Sequence, residues 1–201
     1  MQQITIVLDY LSIDNNIVLI DEPARDICKR VLADHRPLFE KARGSTHNHH
    51  TWPGGYIDHV TECMNYARHQ YALDSAFARG MPFSLSDALL ILFLHDLEKP
   101  WRILVDATGT ATNRLGLDTK EAYKKFREDK LAEYGLCLTP YQQNGLTYVE
   151  GEGKAYSSKQ RVMNELAAFC HRVDTWSARE RYDHPRTTDD GWISATRFRS
   201  T

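Results

Sequence analysis

The chain has 201 residues, which fits one globular domain with an extension better than two full domains, since domains usually span about 100–200 residues. Hydrophobic residues form 42% of the sequence and charged residues 26%, a balance typical of a folded protein and not of a disordered chain. The 25 basic and 27 acidic residues give a net charge of −2. This charge argues against non-specific binding of duplex DNA through its phosphate backbone.

No stretch of the sequence predicts a membrane segment. The longest strongly apolar run, Ala88–Leu94, has seven residues, whereas a bilayer-spanning helix needs about 20. The first residues carry Asp9 within their apolar stretch and lack both the basic region and the cleavage site of an export signal. We therefore expect a cytoplasmic protein with no membrane partner.

The cysteines have neither the density of a disulfide-stapled protein nor the paired spacing of a structural zinc site. We interpret all four as small buried hydrophobic residues: Cys28, Cys63, Cys137 and Cys170.

The predicted organisation is an N-terminal extension over residues 1–20, a helical domain over 21–181 and a polar tail over 182–201. Within the extension, the β-branched runs Ile4–Leu8 and Ile17–Ile20 flank a turn-prone stretch and are compatible with a small β-hairpin. Asp21 before Glu22 and Pro23 is typical of a helix start, and we expect this first helix to end at Pro37.

The rest of the domain reads as mostly α. Apolar residues recur at steps of three or four from Ile57 to Tyr71, with polar residues between them, as in an amphipathic helix. Ser84 and Asp87 form a capping-box pattern before the sequence ALLILFL, which predicts a central buried helix. Further helices are predicted over 117–134, from Thr139 to the glycines at 151 and 153, and over 159–180.

Three places put metal-ligand side chains where the helical pattern favours apolar residues: His59, the adjacent pair His95 and Asp96, and Asp174. Taken singly, such a histidine is usually a hydrogen-bonded structural residue, and such a carboxylate is usually a cap or an ion-pair partner. Asp174 shares the apolar stripe of its helix with Cys170 and Leu166. An unpaired buried carboxylate is costly, so the group needs a cation or strong donors. Two imidazoles and two carboxylates would satisfy one another through a divalent cation.

In order and helical placement, this set resembles the signature of the HD-domain metal-dependent phosphohydrolases, which is a His, then an adjacent His-Asp pair, then a distant Asp. The stretch HNHHTWPGGYIDHV resembles the family's His-rich Gly-Gly loop and first motif helix, and HDLEKPW resembles its HDxGK stretch. FCHRVDTWSAR is similar to the helix that carries the last Asp. The resemblance covers roughly residues 20–181, with dense identity only in these three stretches.

The resemblance implies an HD-domain helical bundle that hydrolyses phosphoesters, often of nucleotides or nucleic acids. It implies His59, His95, Asp96 and Asp174 as ligands of a divalent cation such as Mn²⁺, Mg²⁺, Fe²⁺, Co²⁺ or Ni²⁺, with two coordination positions left open. Asp96 is expected to ligate the metal and also to orient or deprotonate the attacking water. Lys99 matches the family's lysine and is expected to bind phosphate. The expected partner is therefore a phosphorylated small molecule.

The loop before His59 has a plausible substrate role. Trp52 is expected to stack on a base, and Gly55 is expected to allow close approach of the backbone to substrate. Its other histidines are candidates for contact with phosphate, proton donation or metal binding, with His50 preferred. The alternative is a surface loop with chance histidines. His171, one turn before Asp174, either hydrogen-bonds a ligand carboxylate or serves packing.

Departures from the family pattern favour a single metal. Two-metal members supply further histidines between the HD pair and the last Asp, whereas the matching stretch here reads VEGEGKAY, with Glu150 and Glu152 and no histidine. Glu152 is a weak candidate ligand for a second ion. Glu98 stands where the family commonly has Gly. Two alternatives remain: a non-catalytic metal-containing binding module, and an oxygenase of the same scaffold, whose di-iron centre would need more imidazoles.

Overall fold

The computed structural model describes residues 9–46, 48–77 and 80–180, which are mostly helical and include one small antiparallel sheet. The elements follow in chain order: α1 (Ile13–Ile17), α2 (Ala24–Phe39), α3 (Gly55–Ser75), α4 (Leu85–Leu94), α5 (Lys99–Arg102), β1 (Ile103–Val105), β2 (Ala111–Asn113), α6 (Lys120–Glu133), α7 (Pro140–Tyr148), a 3₁₀ turn (Gly153–Ala155), α8 (Glu165–Thr175) and a π-helical turn (Trp176–Glu180). None of the described helices is long and apolar enough to cross a membrane.

Helix α4 lies at the centre of the bundle. Its residues Ala88–Leu94 are all buried, and it packs against α3, α7 and α8. The predicted capping box is confirmed, because the Ser84 side chain accepts from the Asp87 amide while the Asp87 side chain accepts from Ser84. The capped, wholly apolar helix fixes the position of the His-Asp pair that follows it.

Helix α3 is buried on more sides than its sequence pattern predicts. The polar residues between its apolar positions were expected to face solvent, and this expectation is wrong for Asp58, Thr61, Glu62 and Asn65, which are buried. The reason is that α1, α4, α8 and the π-helical turn all pack around α3. Polar side chains are thereby brought into the interior, where each needs a partner.

The predicted N-terminal hairpin is wrong in its second strand. Ile17 ends helix α1 instead of starting a strand, and the first predicted strand, Ile4–Leu8, lies outside the described residues. The turn-prone residues stabilise a helix start: the Ser12 side chain accepts from the Asn15 amide at 3.3 Å. The Asn16 amide group donates to the Leu11 carbonyl at 3.0 Å. Ile13 and Ile17 are then buried against α3 and α4.

The sheet lies elsewhere, in a hairpin that the sequence analysis did not predict. Strands β1 and β2 pair with Ile103 opposite Asn113 and Val105 opposite Ala111. Asp106 shapes the connecting turn, since its Oδ1 accepts from the amides of Thr108 and Thr110 at 2.9 Å each. Three-residue strands give too short an alternation to be recognised from pattern alone.

Two predicted helix ends are also wrong. Helix α2 continues through Pro37 to Phe39, whose buried ring packs edge-on against Tyr56 at a centroid distance of 5.1 Å. Helix α8 starts at Glu165 and not at residue 159, because Asn164 caps it by accepting from the Ala167 amide at 2.8 Å.

Candidate metal site

Four side chains from three parts of the bundle meet at one point: His59 on α3, His95 and Asp96 at the end of α4, and Asp174 on α8. His59 Nε2 lies 3.2 Å from His95 Nε2, 3.3 Å from Asp96 Oδ2 and 3.2 Å from Asp174 Oδ1. His95 Nε2 lies 3.2 Å from Asp96 Oδ2 and 3.6 Å from Asp174 Oδ1. The structure therefore brings together all four predicted ligands.

The spacing of these atoms is compatible with a metal ion. The five distances given above, 3.2–3.6 Å, suit atoms that share one ion at bond lengths of about 2.0–2.2 Å, the usual length to imidazole and carboxylate ligands. His59 and His95 are completely buried, whereas the Asp174 side chain is 18% exposed. The Asp174 side chain is therefore the most solvent-exposed of the four.

Hydrogen bonds on the far side of each imidazole orient its lone pair toward the cluster. His95 Nδ1 donates to the Leu92 carbonyl at 2.7 Å, and His59 Nδ1 donates to the Ser177 hydroxyl at 3.0 Å. Because each Nδ1 carries a proton, each ring has a free lone pair on Nε2 once its second proton is lost. Metal-ligating histidines are typically fixed in this way. Two lone pairs that face each other at 3.2 Å need a cation or a proton between them.

The charges of the cluster shift the pKa of each of its members. Burial disfavours the charged form of His95, but the adjacent Asp96 and Asp174 carboxylates raise its pKa to about 10. Burial alone would raise the pKa of Asp174, yet its contacts with His59 and His95 hold that pKa well below the ordinary range. The cluster thus keeps both carboxylates ionised, and without a bound cation the protonated imidazoles supply the compensating positive charge.

Lys99 and Glu98 extend the site on the other side of Asp96. The Lys99 ammonium contacts Asp96 Oδ2 directly, and its predicted contact with phosphate stays a prediction. Glu98 is fully buried, 3.2 Å from Arg102 Nη1 and 3.6 Å from Arg127 Nη1. Arg127 also donates to the His95 carbonyl. Glu98 therefore forms an ion-pair network that ties α6 to the His-Asp turn.

The loop between α2 and α3 places two histidines beside His59. The rings of His49 and His50 lie 4.8 and 5.0 Å from the ring of His59, centroid to centroid. Burial and the neighbouring positive groups lower the pKa of His49 to about 2 and that of His50 to about 4. Both rings are accordingly neutral near pH 7. His47 lies outside the described residues.

The remaining predicted site residues have well-defined structural contacts. The Trp52 indole donates to Asp58 Oδ2 at 2.7 Å, and Gly55 packs against the backbone of His50. His171 Nδ1 donates to the Val149 carbonyl at 2.8 Å, a contact that ties α8 to the end of α7 instead of to Asp174. The substrate contacts predicted for Trp52 and Gly55 stay predictions.

Several residues near the cluster were missed in the sequence. Cys63, interpreted as a plain hydrophobic residue, lies 3.9 Å from both His59 nitrogens and belongs to the set of potential metal ligands with His95 and Asp174. Glu62 and Cys63 follow His59 by three and four residues, a helical spacing that could have indicated them. Ser177, which is 118 residues from His59, gave no local signal.

No family model, curated protein or solved structure matches this chain significantly.

Proposed function

We propose that this chain is an HD-type phosphohydrolase that uses one divalent cation, held by His59, His95, Asp96 and Asp174, to cleave a phosphoester or phosphoanhydride. The observation that carries the proposal is that the Nε2 atoms of His59 and His95 lie 3.2 Å apart and that each lies within 3.6 Å of a carboxylate oxygen of Asp96 and of Asp174. The sequence resemblance in order, context and helical placement supports it. A divalent cation at this point would activate water near neutral pH and neutralise charge on a phosphoryl group.

The charge balance favours a phosphorylated substrate. Two neutral imidazoles and two carboxylates carry −2, so a divalent cation cancels them and the Lys99 ammonium is left with a surplus of +1. Lys99 contacts Asp96 Oδ2 and is held in a buried position. A phosphoryl anion that enters past Asp174 would compensate this charge, and Lys99 would bind one of its oxygens.

Asp96 and the histidine loop supply the remaining roles. The Asp96 carboxylate lies inside the cluster, where it can orient a water molecule and accept its proton. Trp52 lies on the same loop as the His49 and His50 rings that flank His59, where its indole suits stacking on a nucleotide base. These features support a nucleotide or a short nucleic acid as the substrate class.

The test is phosphate release by purified protein, with added Mn²⁺, from a panel of ribonucleotides, deoxyribonucleotides, dinucleotides and short single-stranded oligonucleotides. We expect at least one compound to be hydrolysed, and we expect Asp96→Ala to lose both the metal and the activity. Asp129→Asn, on the exposed face of α6, is the matched control and should retain both. Turnover by Asp96→Ala would refute the assignment of the site.

The same panel separates the alternatives. Metal analysis that finds one ion per chain, together with hydrolysis, supports the mononuclear hydrolase. A protein that holds one Mn²⁺ but hydrolyses nothing in the panel would be a binding module instead. Two iron ions per chain would point to an oxygenase.

A further inference from the structure

One oxygen of the Glu62 carboxylate connects the predicted metal ligand His59, through Ser177, with the histidines of the loop between α2 and α3. Glu62 Oε2 lies 3.0 Å from the Ser177 hydroxyl and 3.2 Å from His50 Nε2. Ser177 and His50 are completely buried, and Glu62 is 6% exposed. A carboxylate in such surroundings can only accept hydrogen bonds, so the protons must lie on Ser177 and on His50.

The first branch leads to a predicted metal ligand. Since the Ser177 hydroxyl donates to Glu62, it receives the proton of His59 Nδ1, which lies 3.0 Å from it. The Nδ1–H tautomer of His59 is therefore fixed, and its Nε2 lone pair is directed into the cluster. Without this acceptor pair, the ring could rotate or change tautomer.

The second branch leads into the loop between α2 and α3. With its proton on Nε2, a neutral His50 ring presents a lone pair at Nδ1, which lies 3.0 Å from His49 Nδ1. His49 must then donate from Nδ1, so its own lone pair is on Nε2. His50 adopts a left-handed backbone conformation with φ of 50°, which a non-glycine residue keeps only when its surroundings hold it there.

We propose that Glu62 is a positioning residue that fixes the tautomer and orientation of His59 through Ser177, and those of His49 through His50. The inference rests on the proposed metal function for its first branch. The second branch concerns protein groups alone and does not depend on a metal. One side chain on α3 would thereby orient both the metal ligand His59 and the loop histidines His49 and His50.

A purely structural role for Glu62 makes different predictions. Such a role would lower the free energy of unfolding on mutation without a selective effect on metal affinity or on one histidine tautomer. A matched control exists on the same helix: Asn65 is buried and donates to the Leu11 carbonyl at 2.8 Å, facing α1. Asn65→Leu removes a buried polar group of α3 as Glu62→Met does.

The experiment combines two measurements on the full chain. Mn²⁺ affinity is measured by titration with electron paramagnetic resonance, and histidine tautomers are read from long-range ¹H–¹⁵N correlation spectra without metal. We expect Glu62→Met and Ser177→Ala each to weaken Mn²⁺ binding by about 10–100-fold. The double variant should be no weaker than the weaker single variant, because the two groups act in series. Asn65→Leu should bind as wild type does.

The spectra separate the branches. The His50 Nε2–H signal should be altered in Glu62→Met and retained in Ser177→Ala and Asn65→Leu. Mn²⁺ affinities of both site variants within about threefold of wild type would overturn the first branch. An unchanged His50 spectrum in Glu62→Met would overturn the second. If wild type binds no Mn²⁺, the proposed function and the His59 branch fail, and the spectrum still decides the His50 branch.

Discussion

Substitution of Gly55 by Ala should disrupt the histidine loop more strongly than any neighbouring glycine change. Gly55 begins α3 and lies against the His50 backbone: an added Cβ would be 2.7 Å from the His50 carbonyl carbon and closer still to its oxygen. That oxygen accepts the Gly44 amide at 2.8 Å, so it cannot move without breaking this hydrogen bond. The clash involves backbone on both sides and cannot be relieved by a rotamer change.

The expected cost is at least about 3 kcal/mol, the upper end of the range for overpacking. Alanine is favoured over glycine in helices by about 1 kcal/mol at most, which does not offset this cost. Total stabilities are about 5–15 kcal/mol, and each kcal/mol shifts the Tm of a chain this size by about 2–4 °C. Thermal unfolding should therefore show a Tm lowered by about 6–12 °C, and denaturant unfolding should show a free energy of unfolding lowered by at least about 3 kcal/mol.

Gly80→Ala is the control for this prediction. A Cβ at Gly80 would meet no atom within 4 Å, so the change should alter the free energy of unfolding by less than about 1 kcal/mol. A Gly55→Ala protein within about 1 kcal/mol of wild type would refute the reasoning, because the loop would then have room that the structure does not show.

Three further predictions concern the site. Mn²⁺ at 100 times its Kd should raise Tm by about 5–11 °C, from about 2.7 kcal/mol of binding energy, and Asp174→Asn should abolish most of this shift in a thermal melt. Lys99→Met should lower kcat/KM for the hydrolysed substrate by about 100-fold, while its Mn²⁺ affinity stays within a few-fold of wild type. Equal losses of kcat/KM and of Mn²⁺ affinity would show that Lys99 has a structural role instead. Arg127→Met leaves buried Glu98 with Arg102 as its one remaining ion-pair partner among the described residues and should cost about 2–4 kcal/mol in urea unfolding. Adding Glu98→Gln should restore part of this loss.

The central helices could be predicted because local sequence determines them. The apolar run of α4 with its Ser84–Asp87 capping box, and the Thr139–Pro140 start of α7, both form as expected. A cap and a hydrophobic pattern act within a few residues, so they are readable without knowledge of the rest of the chain.

Other elements depend on contacts that are remote in sequence. Helix α1 has only five residues, too few to be stable alone, and forms because Ile13 and Ile17 are buried against α3 and α4. The start of α8 is set by Asn164, whose side chain donates to the Tyr141 carbonyl at 2.8 Å. The local sequence pattern indicates neither the packing of α1 against α3 and α4 nor the hydrogen bond between Asn164 and Tyr141.

The predicted metal ligands can likewise be recognised from local sequence, whereas the groups that orient them depend on remote contacts. His59 and Asp174 interrupt the apolar stripes of their own helices, and a polar group at such a position needs a compensating partner whatever the fold. Glu62 and Ser177 occupy positions that a solvent-facing interpretation explains equally well. They meet across 115 residues of sequence only because α3 packs against α8 and the π-helical turn. Glu62 and Ser177 therefore belong to the site because the polar face of α3 is buried in the bundle. The arrangement of the helices must be known before these residues can be identified.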